Sequence, residues 1–134
     1  MTTEVLVAAA PVGVDVERRD RSGDLDVTRV AFADDEQAEL EALPPAARAS
    51  AFLAAWTRKE ALLKALGHGL SVDPRSVSVT YLDDVEARVR RLPDEFGPPD
   101  AWSLVPLGGD DWIGAAAIRG GAAIRMESAQ RLLA

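Results

Sequence analysis

Between Pro45 and Leu66 the chain runs without a single helix breaker, and that stretch constrains the fold more than any other. Pro44 and Pro45 interrupt what comes before and then open a new helix, because a first turn has no use for the N–H that proline lacks. Phe52, Leu53, Trp56, Leu62, Leu63 and Leu66 recur at helical spacing, and Gly67 follows where a left-handed residue ends a helix. The chain must therefore be built around one long helix. The same stretch holds both of its lysines, Lys59 and Lys64, whereas arginine supplies every other strongly basic side chain.

The flanking segments read mostly as strands. "EVLVAAA" (residues 4–10) and "VGVDVE" (residues 12–17) are apolar runs around a tight turn at Pro11. In the second, Val12, Val14 and Val16 point one way and Gly13, Asp15 and Glu17 the other, with the valine face expected in the core. Residues 18–24 form a charged loop. Residues 26–43 suit two short helices broken near Ala33, with Asp34 and Asp35 opening the second. Beyond the long helix, residues 76–82, 86–92, 101–107 and 112–118 read as strands. Residues 122–127 are compatible with a last strand and residues 128–134 with a terminal helix. No repeat, low-complexity segment or linker divides the chain, so the expectation is one α+β domain over residues 1–134, a long helix packed on an antiparallel sheet.

Composition narrows the chemistry. With 134 residues, 48% hydrophobic and 28% charged, the chain falls among ordinary globular proteins. No apolar run is long enough to cross a bilayer and no export signal is visible, which predicts a cytoplasmic protein without a membrane partner. Cysteine is absent and His68 is the lone histidine, so zinc lacks ligands and any metal should be a hard cation held by oxygen. A net charge of −7 argues against a nucleic-acid partner, which would need positive surface to recruit phosphates.

Asp15 and Glu17 lie about 7 Å apart on one strand face by strand rise. They are either acids kept apart in water or a pair joined by something positive. Trp56, Glu60 and Lys64 line one helical stripe, and Glu60 with Lys64 has the spacing of an ordinary surface ion pair. Taken together, "VGVDVE" and "WTRKEALLKALGHGL" (residues 56–70) resemble the signature of the 4'-phosphopantetheinyl transferases, specifically the larger surfactin-synthetase-activating type. Every specified position is filled: Gly13, Asp15, Glu17, Trp56, Lys59, Glu60, Ala61, Lys64, Gly67, Gly69 and Leu70.

The resemblance implies a phosphopantetheinyl transferase-like half-domain. Such enzymes move the phosphopantetheine arm of coenzyme A onto a serine of an apo acyl or peptidyl carrier protein. It assigns magnesium to Asp15, Glu17 and Glu60, makes Glu60 the candidate for taking the serine proton through water, and turns Lys64 toward the phosphates. Lys59 is expected to support substrate binding or to pair with an acid near the strand. Trp56 is expected to anchor the helix in the core, Gly67 to cap it, Gly69 to turn the chain, and His68 to be solvated.

The larger transferases have two halves of this size, and the Ser-His-Ser stretch and basic residues of the first half have no counterpart here. The chain is thus the metal-bearing half of a longer enzyme, or assembles with copies of itself, or is a non-catalytic carrier-binding scaffold. An exposed apolar face predicts a homo-oligomer. Arg48, Arg58, Arg75, Arg88, Arg90 and Arg91 are candidates for a positive face that receives an acidic carrier protein.

Overall fold

The computed structural model describes residues 4–8, 12–21, 25–67, 72–120 and 124–128. Strand β1 (Glu4–Ala8) and β2 (Val12–Arg18) precede three helices, α1 (Leu25–Ala31), α2 (Asp34–Ala42) and α3 (Pro45–Leu66). Then come β3 (Ser78–Val79), β4 (Val89–Arg91), β5 (Trp102–Gly108), β6 (Trp112–Arg119) and β7 (Ile124–Ser128). The principal sheet is antiparallel in the order β2-β6-β5, and β1-β7 and β3-β4 form two-stranded ladders. The fold is α+β, with α3 packed across the principal sheet.

The long helix begins and ends as its sequence dictates. Pro45 sits in its first turn and Gly67 closes it with a φ of 79°, a left-handed conformation that costs a glycine little. α1 and α2 also form where expected, parted at Phe32 and Ala33. No helix among the described residues is long and apolar enough to cross a membrane.

Strand pairing departs from expectation. β1 pairs with β7, Ala8 opposite Ile124, and not with β2 across a turn at Pro11. β2 and β6 are already partners, ending at Val12 opposite Ile118, so their extensions run on side by side. The segment at residues 76–82 keeps only two strand residues, because Pro74–Ser76 is a 3-10 turn whose Asp73 carboxylate accepts from the Arg75 N–H at 3.0 Å. The strand expected at 86–92 likewise shortens to β4. The Pro11 turn, His68, Gly69, Leu70 and nearly all of the terminal helix lie outside the described residues.

The faces of β2 are reversed from expectation, and Gly13 explains why. A Cβ on Gly13 would lie 2.0 Å from the Ala61 carbonyl oxygen and 2.5 Å from the Ala65 nitrogen, so strand and helix backbones touch there. Valine cannot sit beneath a helix that close. The face bearing Gly13, Asp15 and Glu17 therefore meets α3, while Val16, on the opposite face, is 52% exposed. The core under α3 joins Ala61, Leu62 and Leu66 to Val77, Val79, Leu104, Ala115 and Ala117. A second cluster packs Phe32, Leu40, Phe52, Leu53 and Tyr81, with Phe32 and Phe52 stacked at 5.4 Å.

Candidate active site

The close approach at Gly13 delivers Asp15, two residues along β2, to the side of α3. There Lys64 Nζ donates to Asp15 Oδ1 at 3.0 Å and to the Val14 carbonyl at 3.1 Å. Asp15 Oδ2 is buried and, among the described residues, has no hydrogen-bond partner. Burial raises the Asp15 pKa against the opposing hydrogen bond from Lys64, and the charge of Glu17 adds to the rise. One turn before Lys64, Glu60 is raised by burial first, then by Asp15 and more weakly by Glu17, with Lys64 and Arg21 pulling the other way. The three acids feel one another electrostatically.

Glu17 is held from two sides. Its Oε1 accepts from Trp56 Nε1 at 3.3 Å and also pairs with the Arg21 guanidinium, which stacks over the Trp56 ring at 5.5 Å from its centroid. Trp56 packs on Phe52 as expected of an anchor, with centroids 6.1 Å apart, but it is only partly buried and also positions Glu17. Three carboxylates thus face two cations on one side of the helix. Lys64 takes Asp15 and not Glu60, so the ordinary i, i+4 surface pair is not formed. No three carboxylates among the described residues converge at ligating distance on a common point. The structure brings the expected trio to one face without closing it into a ready-made cage.

Lys59 requires correction as a substrate contact. Its side chain is 2% exposed, and Nζ donates to Glu36 Oε1 at 2.5 Å and to the Val77 carbonyl at 2.6 Å. Glu36, fully buried, also accepts from the Ala33 N–H at 2.8 Å and the Val79 N–H at 2.9 Å. Burial pushes Glu36 up and Lys59 down from their ordinary values, while their mutual attraction opposes both shifts. The acid that Lys59 finds, Glu36 on α2, lies beside a strand, where its other oxygen accepts from the Val79 N–H of β3. No phosphate can reach an ammonium enclosed in this way, so its duty is to lock α2 and β3 onto α3.

Glu36 and Arg21 were not identified from the sequence. Glu36 did leave a signal: it lies three residues beyond Ala33, which has no capping side chain of its own, and such a glutamate can reach back to the exposed N–H at the helix start. Arg21 left none, being one of several arginines in a charged loop. Of the six arginines expected to form an open basic face, Arg88 is exposed and the other five make contacts within the chain. Arg75 pairs with Asp34 at 2.7 Å, Arg90 with Glu39 at 2.7 Å, and Arg91 with Asp35 at 2.9 Å. Arg48 and Arg58 donate to the Leu43 and Thr80 carbonyls at 3.0 Å and 2.8 Å.

The family model of the 4'-phosphopantetheinyl transferase superfamily matches residues 11–117, a span holding both the acid-bearing strand and the lysine-bearing helix. The chain belongs to that superfamily. Among curated relatives, a 4'-phosphopantetheinyl transferase of Bacillus subtilis is 33% identical over 92 residues, which is 69% of this chain and 40% of the relative. The transferase psf-1 of Bacillus pumilus is 34% identical over 66% of this chain and 37% of its own length. This member of the superfamily therefore spans about two fifths of the curated relatives it matches. Its fold is similar to the crystal structure of the holo-(acyl-carrier-protein) synthase of Bacillus anthracis in complex with CoA (3',5'-ADP). The TM-score is 0.62 at 16% identity, over 86% of this chain and all of that one. The corresponding synthase of Thermotoga maritima gives a TM-score of 0.66 at 19% identity, over 85% of this chain and 64% of that one. The superfamily fold thus accounts for the long helix laid on the antiparallel sheet.

Proposed function

We propose that this chain transfers the 4'-phosphopantetheine arm of coenzyme A to a serine of an acyl or peptidyl carrier protein in the cytoplasm, with magnesium held by Asp15, Glu17 and Glu60. The observation that carries this reading is the buried, unpartnered Oδ2 of Asp15 beside two further acids. A buried carboxylate oxygen without a donor is costly, and a hard cation that accepts oxygen ligands is the group such a donor set fits. The magnesium would supply charge neutralisation and orientation for the diphosphate.

The chain's own residues account for the remaining chemistry. In the transfer the serine Oγ attacks the phosphorus that carries pantetheine, the bond to the adenosine-side phosphate breaks, and adenosine 3',5'-bisphosphate leaves. Glu60, on α3 beside Asp15 and Glu17, would take the proton of the serine hydroxyl through a water molecule, since a carboxylate that also holds a cation is a weak direct base. Lys64, more than half exposed and anchored to the Val14 carbonyl, presents a point charge where the leaving phosphate gains its own. Trp56 fixes Glu17 through its indole N–H.

We further propose that a second copy of the chain, or the remainder of a longer one, covers the outward face of β2. Val16 stands half exposed there, an apolar side chain that a second wall would cover. Incubation of the chain with an apo carrier protein, magnesium and coenzyme A is expected to add the mass of one phosphopantetheine arm to the carrier, and sedimentation to show a particle larger than 14.3 kDa. No mass gain at high enzyme concentration, from a preparation that sediments as an assembly, would overturn the transferase reading for this chain.

A further inference from the structure

Arg21 stands at the mouth of the acid cluster on tethers of an unusual kind. Its guanidinium pairs with Glu17 and lies over the Trp56 ring, and among the described residues its side chain has no bond to main chain. Lys64 differs, since one of its two bonds goes to the Val14 carbonyl and would hold it in place if Asp15 changed partner. Arg21 is also the more exposed member of its pair, 39% against 22% for Glu17. A divalent cation drawn to Glu17 meets the carboxylate oxygen that Arg21 already holds, and must displace Arg21.

We propose that Arg21 is a positioning counter-ion that guards Glu17, leaves it when a divalent cation binds, and transfers its guanidinium to the phosphates of the incoming coenzyme A. The inference rests on the cation and substrate reading given above. The planar fork that grips a carboxylate matches two phosphate oxygens equally well, so the same side chain serves either partner. Trp56 holds the head near the rim in both positions, because stacking on an indole does not depend on which anion lies in the plane of the fork. Cation and coenzyme A then bind cooperatively. Each makes room for the other through one arginine, and by linkage each must raise the affinity of the other by the same factor.

Calorimetric titration of magnesium into the full chain, with and without saturating coenzyme A, reads this directly. Arg21→Gln is expected to bind magnesium alone roughly tenfold more tightly than wild type, as expected when a unit charge is removed a few ångströms from the site. Its enhancement by coenzyme A should shrink by a similar factor. Magnesium should also change the indole fluorescence of wild type but not of Arg21→Gln, since only wild type has a cation that shifts its position over the face of Trp56. Arg21→Lys, which keeps the charge without the fork, should keep the weaker magnesium affinity yet lose part of the coupling. If Arg21→Gln binds magnesium no more tightly, with coupling unchanged, while Asp15→Asn abolishes binding, the guard role of Arg21 fails and the cation reading stands. If neither wild type nor Arg21→Gln binds magnesium, both fail together.

Discussion

Lys59 and Lys64 leave the same helix five residues apart and meet opposite fates. Lys59 is sealed against Glu36, whose carboxylate takes two further backbone donors, so that both charges are answered inside the fold. Lys64 stands in half-open surroundings beside an aspartate with one oxygen answered and the other buried without a partner. Polar groups left incompletely paired cost stability, and a chain that satisfies one ion pair so fully does not leave another unfinished for lack of means. The satisfied face fastens the elements together. The unfinished one is where the proposed cation would bind.

Substitutions on the two faces should therefore part company, and the largest effect belongs to the unfinished one. Asp15→Asn and Glu60→Gln are each expected to slow carrier modification by roughly a thousandfold, about 4 kcal/mol of barrier. Neither should lower the melting temperature, because burial already disfavours both charges. Carrier mass analysis over time and calorimetry check the two halves of that statement. An undiminished rate would remove these acids from the mechanism.

On the sealed face the order reverses. Lys59→Met leaves Glu36 buried without its counter-ion and should cost about 3–5 kcal/mol in urea unfolding. Adding Glu36→Gln should recover part of that loss, since the second change removes the stranded charge. Correctly folded Lys59→Met should still bind magnesium as wild type does. Weaker binding in that folded variant would erase the distinction between the two lysines.

That distinction was partly legible in the sequence. Five residues at about 100° each place Lys59 and Lys64 roughly 140° apart around the helix, so they could not share a face. The proline and glycine at its ends fixed the helix itself, because breakers act locally and need no partner. Alternation in β2 separated valines from acids but could not say which set faced inward, since that depends on where α3 lands. Gly13 held the answer: only a residue without a side chain admits backbone contact with Ala61. Glu36 and Arg21 stayed hidden for a related reason. The partner of Glu36 lies 23 residues away in sequence, and Arg21 acquires meaning only once Trp56 is beneath it.

Gly13 therefore supplies the next test, at the seam between the two faces. Gly13→Ala puts a methyl group into the α3 backbone and should destabilise the chain by about 3 kcal/mol, the upper range for overpacking. It should also lower transfer in the fraction that folds, because pushing β2 away moves Asp15 from Lys64 and Glu60. Thermal unfolding and activity per folded molecule separate the two. Loss of stability with full specific activity would mean that the spacing of strand and helix does not set the site.

The smallest effect concerns an acid that is answered but not enclosed. Asp35 accepts from both terminal nitrogens of Arg91 at 2.9 Å and 3.2 Å, from Ser78 Oγ at 3.0 Å and from the Glu36 N–H at 2.9 Å. Burial pushes its carboxyl up, but the hydrogen bonds from Arg91 and Ser78 and the charges of Arg90 and Arg91 outweigh it and bring the pKa down to about 2. A carboxyl lowered on folding adds stability that is present in full above its unfolded value, near 3.8, and disappears as pH falls through about 2. Solvent reaches a third of this side chain and screens the gain, so Asp35→Asn should cost only about 1 kcal/mol at pH 7. The gap between variant and wild type should close between pH 4 and pH 2 in a series of urea unfolding curves, following the pKa of about 2 that Asp35 has in the fold. A gap that persists unchanged at pH 2 would mean that Asp35 contributes through shape rather than charge, and that pairing on the sealed side of the molecule ends at Glu36 and Lys59.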